Sequence, residues 1–226
     1  MNKIALAIHG GAGTILRSRM TAELEKDYRF GLSRALETGW RLLQSGASAL
    51  DVVEATVVEL ENFPLFNAGK GAVFTHEGKN EMDACLMNGA SLRAGAVAFV
   101  KSVKNPIKLA RLVMERTPHV LLAGRGADEF ARECKVEFED DKYFFTEFRY
   151  QQLLKAREAG RVQLDHTASE PALIEKEIQA DEKLQAEVEN AKPMGTVGAV
   201  ACDSRGSVAA ATSTGGMTNK KFGRVG

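Results

Sequence analysis

The chain has 226 residues, enough for one large domain or two small ones around a substantial core. With 44% hydrophobic and 27% charged residues it has the composition of an ordinary soluble protein. Its 30 basic and 30 acidic residues are scattered and cancel, which argues against nucleic acid or another polyanion as partner. No apolar run approaches the roughly 20 residues needed to span a bilayer, so no membrane partner is expected. The short apolar stretch at the N-terminus ends in His-Gly-Gly and reads as a first strand, not as a signal peptide. Cys85, Cys134 and Cys202 are odd in number and lack CxxC spacing, so they read as reduced, mostly buried thiols of a cytoplasmic protein.

In chain order, residues 3–8 read as a strand running into the glycine loop His9–Gly13. Helical spacing of apolar residues extends from about Thr21 to Gln44, with Gly46 as a stop. Ser48 caps a second helix, with Asp51 at capping-box spacing and Leu50, Val53, Val57 and Leu60 as its core stripe. Residues 62–71 form a loop dense in turn formers. Strands follow near 81–87 and 93–100, a helix near 106–116, a strand over 119–123, and helices near 126–134 and 146–159. From Asp165 to Lys192 the chain is rich in Glu, Lys and Ala without aromatics, which suits a solvated helix or a linker. Two buried-strand runs, 196–203 and 207–214, then form a hairpin whose turn contains Gly206. Strands and helices on both sides of the linker place the fold in the α/β or α+β class.

The chemistry centres on Gly195-Thr196, a threonine at the start of a buried strand just after the linker. A threonine hydroxyl is a poor nucleophile unless a base removes its proton. An N-terminal threonine can use its own α-amine, whose pKa of roughly 7.7–8 leaves a useful neutral fraction at physiological pH. Freeing that amine requires cutting the Gly195–Thr196 bond, and glycine permits the backbone geometry in which the hydroxyl reaches the preceding carbonyl. Taken alone, Gly-Thr before a strand is better read as an ordinary packed strand residue. Other chemistries lack their motifs: there is no GxSxG elbow, no GxGxxG, no GxxxxGK[ST] and no zinc-type histidine pair.

The surroundings of that junction carry more. The run GTVGAVACDSRGSVAAATSTGGMTNKKFGRVG closely resembles the signature of plant-type asparaginases, also called isoaspartyl aminopeptidases, of the N-terminal-nucleophile hydrolase superfamily. The resemblance continues upstream, in order, through IHGGAG, SALDVVEA, PLFNAGKGAVF, EMDACLMNG, LRAGAVA, NPIKLARLVME and PHVLLAG, and so covers nearly the whole chain. It implies a four-layer αββα sandwich, with an α-subunit core at 1–164, a charged linker at 165–195 ending at the self-cleavage site, and the start of a β subunit at 196–226. It also implies hydrolysis of L-asparagine and isoaspartyl dipeptides to L-aspartate, without a catalytic cofactor, by a dimer of αβ heterodimers.

Residue by residue, Thr196 matches the family nucleophile, and Thr214 the second threonine that orients it. Asn67 matches an asparagine close to the nucleophile. Arg224, in Gly223-Arg224-Val225-Gly226, matches the arginine that grips the substrate's α-carboxylate, with Val225 and Gly226 beside it. The loop from Leu60 to Lys70 resembles the family's structural sodium loop, in which the carbonyls of Leu60, Glu61, Phe63, Phe66, Ala68 and Lys70 would wrap a monovalent cation.

The resemblance breaks off at Gly226. In the family an aspartate follows directly, and later a Thr-Gly-x-Gly segment supplies the oxyanion hole, whose donors are each worth about 2.7–4 kcal/mol. The expectation is therefore a C-terminally truncated chain, inactive alone. A glycosylasparaginase-like activity, a threonine endopeptidase and a non-catalytic fragment that acts by association through an open sheet edge are the competing readings.

Overall fold

The computed structural model describes residues 3–11, 20–160 and 195–226. The linker expected over 165–192 lies outside the described residues. Those residues form a mixed sheet of six strands with helices packed on it, so the α/β class holds. In chain order the elements are β1 (Ala5–His9), α1 (Ala22–Gln44), α2 (Ala49–Glu61), a 3₁₀ turn (Gly69–Gly71), β2 (Met82–Asn88) and β3 (Arg93–Val100). They continue with α3 (Pro106–Arg116), β4 (Leu121–Ala123), α4 (Gly124–Glu133), α5 (Asp141–Phe144), α6 (Glu147–Glu158), β5 (Val197–Cys202) and β6 (Val208–Thr214).

Local chemistry sets the boundaries. Thr21 caps α1 by accepting from Leu24 N, and Ser48 caps α2 by accepting from Asp51 N. Pro106 opens α3 at a position where a helix needs no N–H donor. β4 begins at Leu121, two residues later than the pattern suggested, because the Thr117 hydroxyl turns the chain by accepting from His119 N and donating to Val113 O. The short α5 has too few residues for a periodic signal and is fixed by Asp140, whose carboxylate accepts from Lys142 N and Tyr143 N.

The strand order is β1-β5-β6-β2-β3-β4, antiparallel except for the β3–β4 pair. β5 therefore sits between β1, from the start of the chain, and β6. Alternation along the strands separates two faces. Ala199, Ala201, Ala209, Ala211, Ala84, Leu86 and Val97 are buried in the core shared with Val52, Val53, Val57, Ile107 and Val113 of α2 and α3. The opposite face carries Ala5, Ala7, Met87, Val200 and Val208 and remains exposed among the described residues. Of the four layers expected, the described residues supply one sheet and one helical layer.

Cys85 lies on the exposed face and is itself exposed, while Cys134 and Cys202 are half-buried. All three are free thiols, so the expected burial does not hold for Cys85. Among the described residues no helix is long and apolar enough to cross a membrane.

The small residues of the sheet let helices come close. A Cβ on Gly95 of β3 would lie 2.1 Å from the Ala110 carbonyl oxygen and 2.7 Å from Met114 N. Gly95→Ala should therefore cost about 2–3 kcal/mol through overpacking. Urea denaturation checks this, and an unchanged midpoint would contradict the close β3–α3 contact.

Candidate active site

The predicted junction lies at the entry to β5. Gly195 is buried and Thr196 half-buried, immediately before Val197. In the β5–β6 ladder Val197 faces Ser213 and Gly198 faces Thr212. Carried one residue further, that antiparallel register sets Thr196 opposite Thr214, and directly opposed residues are cross-strand neighbours. Thr214 is 5% exposed, and its hydroxyl accepts from Gly216 N at 2.9 Å. On the other side, β1 brings the glycine loop to the junction. A Cβ on Gly11 would lie 3.4 Å from the Gly195 carbonyl carbon, and Gly11 has φ +114°, a conformation natural to glycine. On that side Gly195 thus meets the side-chain-free backbone of Gly11.

Asn67 is fully buried and its side chain is committed. Its Oδ1 accepts from Val73 N at 3.0 Å, and its Nδ2 donates to Gly216 O at 2.8 Å. Its own carbonyl accepts from Gly215 N at 3.1 Å. Asn67 therefore fixes Gly215-Gly216, the exit from Thr214. The exposed segment 223–226 returns over the same place. Arg224 Nη1 is 3.5 Å from where a Cβ on Gly216 would stand, and the Gly226 backbone abuts the Thr214 methyl. Thr196, Thr214, Asn67, Arg224, Val225 and Gly226 thus converge at one end of the β5–β6 hairpin.

The loop bearing Asn67 is stiffened from several sides. Phe66, 1% exposed, wedges its ring between Gly10 and Gly31; a Cβ on these would lie 2.6 Å and 2.9 Å from ring atoms. Phe63 and Tyr28 pack on the Phe66 ring with centroids at 5.4 Å and 5.9 Å. Arg149, fully buried on α6, donates to the carbonyls of Leu65 and Gly71 at 3.1 Å and 2.9 Å. Two further carbonyls lie against bare glycines. A Cβ on Gly69 would strike Glu61 O at 2.4 Å, and one on Gly71 would strike Phe66 O at 2.1 Å. The carbonyls of Phe63, Phe66 and Ala68 each accept one backbone N–H, which leaves each a second lone pair. The Lys70 ammonium lies over the Tyr143 ring, 5.1 Å from its centroid. Among the described residues no cluster of three His, Cys, Asp or Glu could hold a metal.

Three features escaped the sequence reading. Asp83 and Lys220 are buried at the site, signalled only by charges within apolar or motif surroundings. Glu61 was singled out for its carbonyl, yet its carboxyl is also fully buried. Burial pushes the Glu61 pKa up to about 7, against the opposing pull of Ser213, Ile107 N, Asn105 and Lys108. Oε1 accepts from Ile107 N at 3.0 Å. The Ser213 hydroxyl stands nearby, but neither it nor Oε2 reaches hydrogen-bonding geometry.

The family model described as Asparaginase matches residues 2–226. The Isoaspartyl peptidase of Salmonella typhimurium is 51% identical over 226 residues, covering 100% of this chain and 67% of that protein. The Isoaspartyl peptidase of Escherichia coli is 50% identical, covering 100% of this chain and 65% of its own. The human Isoaspartyl peptidase/L-asparaginase is 43% identical, with coverage of 100% and 64%. The chain thus spans about two thirds of the length of these curated relatives.

Because the folded Glu61 pKa lies above its unfolded value, the native state holds an extra proton between the ordinary glutamate range and about pH 7. Its contribution to stability should fall as pH rises through that window and level off above it. The stability difference between wild type and Glu61→Gln should change by about 3 kcal/mol between about pH 4 and about pH 8. Urea titrations across that range measure it, and a constant difference would show an ordinary carboxyl.

Proposed function

The chain belongs to the asparaginase family, and from that premise we propose that it is a self-processing threonine amidohydrolase acting on L-asparagine and isoaspartyl dipeptides. The observation that carries this reading is the register placing Thr196 opposite Thr214 while the Gly11 backbone flanks Gly195. The relatives' names, isoaspartyl peptidase in two bacteria and isoaspartyl peptidase/L-asparaginase in human, support the substrate class.

In processing, the Thr196 hydroxyl oxygen attacks the Gly195 carbonyl carbon, and the peptide C–N bond breaks as the nitrogen takes up a proton. Water then hydrolyses the resulting ester, leaving a Gly195 carboxylate and the free Thr196 α-amine. That amine is the base for turnover. The hydroxyl attacks the side-chain carbonyl of the substrate, ammonia or the peptide amine leaves, and water releases aspartate from the acyl-enzyme. Thr214 orients the nucleophile, Asn67 holds the Gly215-Gly216 exit, and Arg224 pairs with the substrate α-carboxylate.

We assign the segments as an α-subunit core at 1–164, a linker at 165–195 and the start of a β subunit from 196. Because β1 pairs with β5, the two products of the cut would share one sheet. We propose that the carbonyls of Leu60, Glu61, Phe63, Phe66, Ala68 and Lys70 hold a structural sodium ion, a reading supported by the bare glycines at 69 and 71, against which the Glu61 and Phe66 carbonyls lie. Bound there, it would supply charge that stiffens the loop behind Asn67. A cytoplasmic dimer of αβ heterodimers completes the proposal.

Incubation followed by intact-mass measurement tests the processing step. Wild type should divide between Gly195 and Thr196, and Thr196→Ala should stay whole. A wild-type chain that remains intact, or a Thr196→Ala chain that divides at the same bond, overturns the assignment.

A further inference from the structure

Asp83 interrupts an apolar strand, is 5% exposed, and faces Thr214 in the β2–β6 ladder. Its two oxygens are divided between distant segments. Oδ1 accepts from Phe99 N at 2.9 Å, and Oδ2 accepts from Gly226 N at 2.7 Å. Lys220 Nζ lies 3.9 Å from Oδ2 and donates to Glu81 O at 2.7 Å. Lys220 is 2% exposed, and the same ammonium lies 3.1 Å from where a Cβ on Gly216 would stand, beside Arg224 Nη1. Burial holds the Lys220 pKa below the usual lysine value, against the pull of Asp83 and Glu81.

A buried ion pair is poor value as a stabiliser, because desolvating each charge costs several kcal/mol and an apolar pair of similar volume does as well or better. What this pair supplies that an apolar pair could not is two acceptors at fixed spacing. A carboxylate can accept from both Phe99 N and Gly226 N, whereas an asparagine offers one oxygen and turns an N–H donor toward the other amide. Lys220 then neutralises the carboxylate from below while filling the space under Gly216.

Resting on the reading of Arg224 as the grip on the substrate carboxylate, we infer that Asp83 and Lys220 are positioning residues. They hold the 223–226 segment over Thr214 so that Arg224 meets the substrate. The junction at Gly195–Thr196 is held separately, by the β1–β5 and β5–β6 ladders. Losing the pair should therefore weaken ligand binding and spare self-cleavage.

The experiment compares the full chain as wild type, Asp83→Asn, Lys220→Met, Lys220→Arg and Arg224→Ala. L-aspartate affinity is measured by calorimetry and self-cleavage by intact mass. Asp83→Asn and Lys220→Met should each weaken L-aspartate at least about ten-fold, in the direction of Arg224→Ala, with cleavage rates within about two-fold of wild type. Lys220→Arg should recover most of the affinity. Should Asp83→Asn fail to fold around an unpaired ammonium, the double variant Asp83→Asn/Lys220→Met, free of buried charge, should fold and show the same loss. A wild type that binds while Asp83→Asn or the double variant binds equally well overturns this inference alone. Affinity and cleavage falling together overturn it in favour of a general structural role. A wild type that does not bind L-aspartate overturns the Arg224 grip and this inference with it.

Discussion

Everything at the candidate site depends on β5 being an interior strand. A strand with a partner on each side has both rows of its backbone groups fixed, so the residue that enters it has little freedom. β1 and β6 provide those partners, and the two ladders hold β5 without relying on the covalent link between Gly195 and Thr196. A bond at the mouth of such a strand can be cut while Thr196 stays in place. The same pairing brings β1's glycine loop to one side of the junction and Thr214 to the other.

The second constraint is the scarcity of side chains where backbone must meet backbone. Gly11 flanks Gly195, Gly215 and Gly216 carry the exit from Thr214, and Gly69 and Gly71 leave room for the Glu61 and Phe66 carbonyls. Phe66 couples these regions, because its ring needs bare positions at both Gly10 and Gly31. The loop that bears Asn67 and the loop beside the junction thus rest on one aromatic wedge. Arg149 secures the other side of the loop from α6.

Polar groups buried near the site divide by what they hold. Asn67 and Asp83 use two acceptor or donor atoms each to clamp backbone from separate segments, which a rigid pocket needs. Asp203 does the same at the far end of the hairpin, accepting from Ala49 N, Arg205 N and Ser207 N and so tying the β5–β6 turn to the start of α2. Burial alone would raise the Asp203 pKa, but those donors and the Arg205 guanidinium hold it below the usual carboxylate range.

Much of this was readable in the chain itself. Caps at Thr21 and Ser48, helical stripes in α1 to α3, and the paired apolar runs of β5 and β6 are local signals, since propensity, capping and periodicity act over a few residues. The motif order around Thr196, Thr214 and Arg224 likewise placed the family. What no local pattern contains is which strands become neighbours and which buried charges meet. The β1-β5-β6-β2 order, the Phe66 wedge, the Asp83–Lys220 pair and the buried Glu61 carboxyl join residues from distant parts of the sequence. Their partners are selected by packing and desolvation, which exist only once the chain has folded.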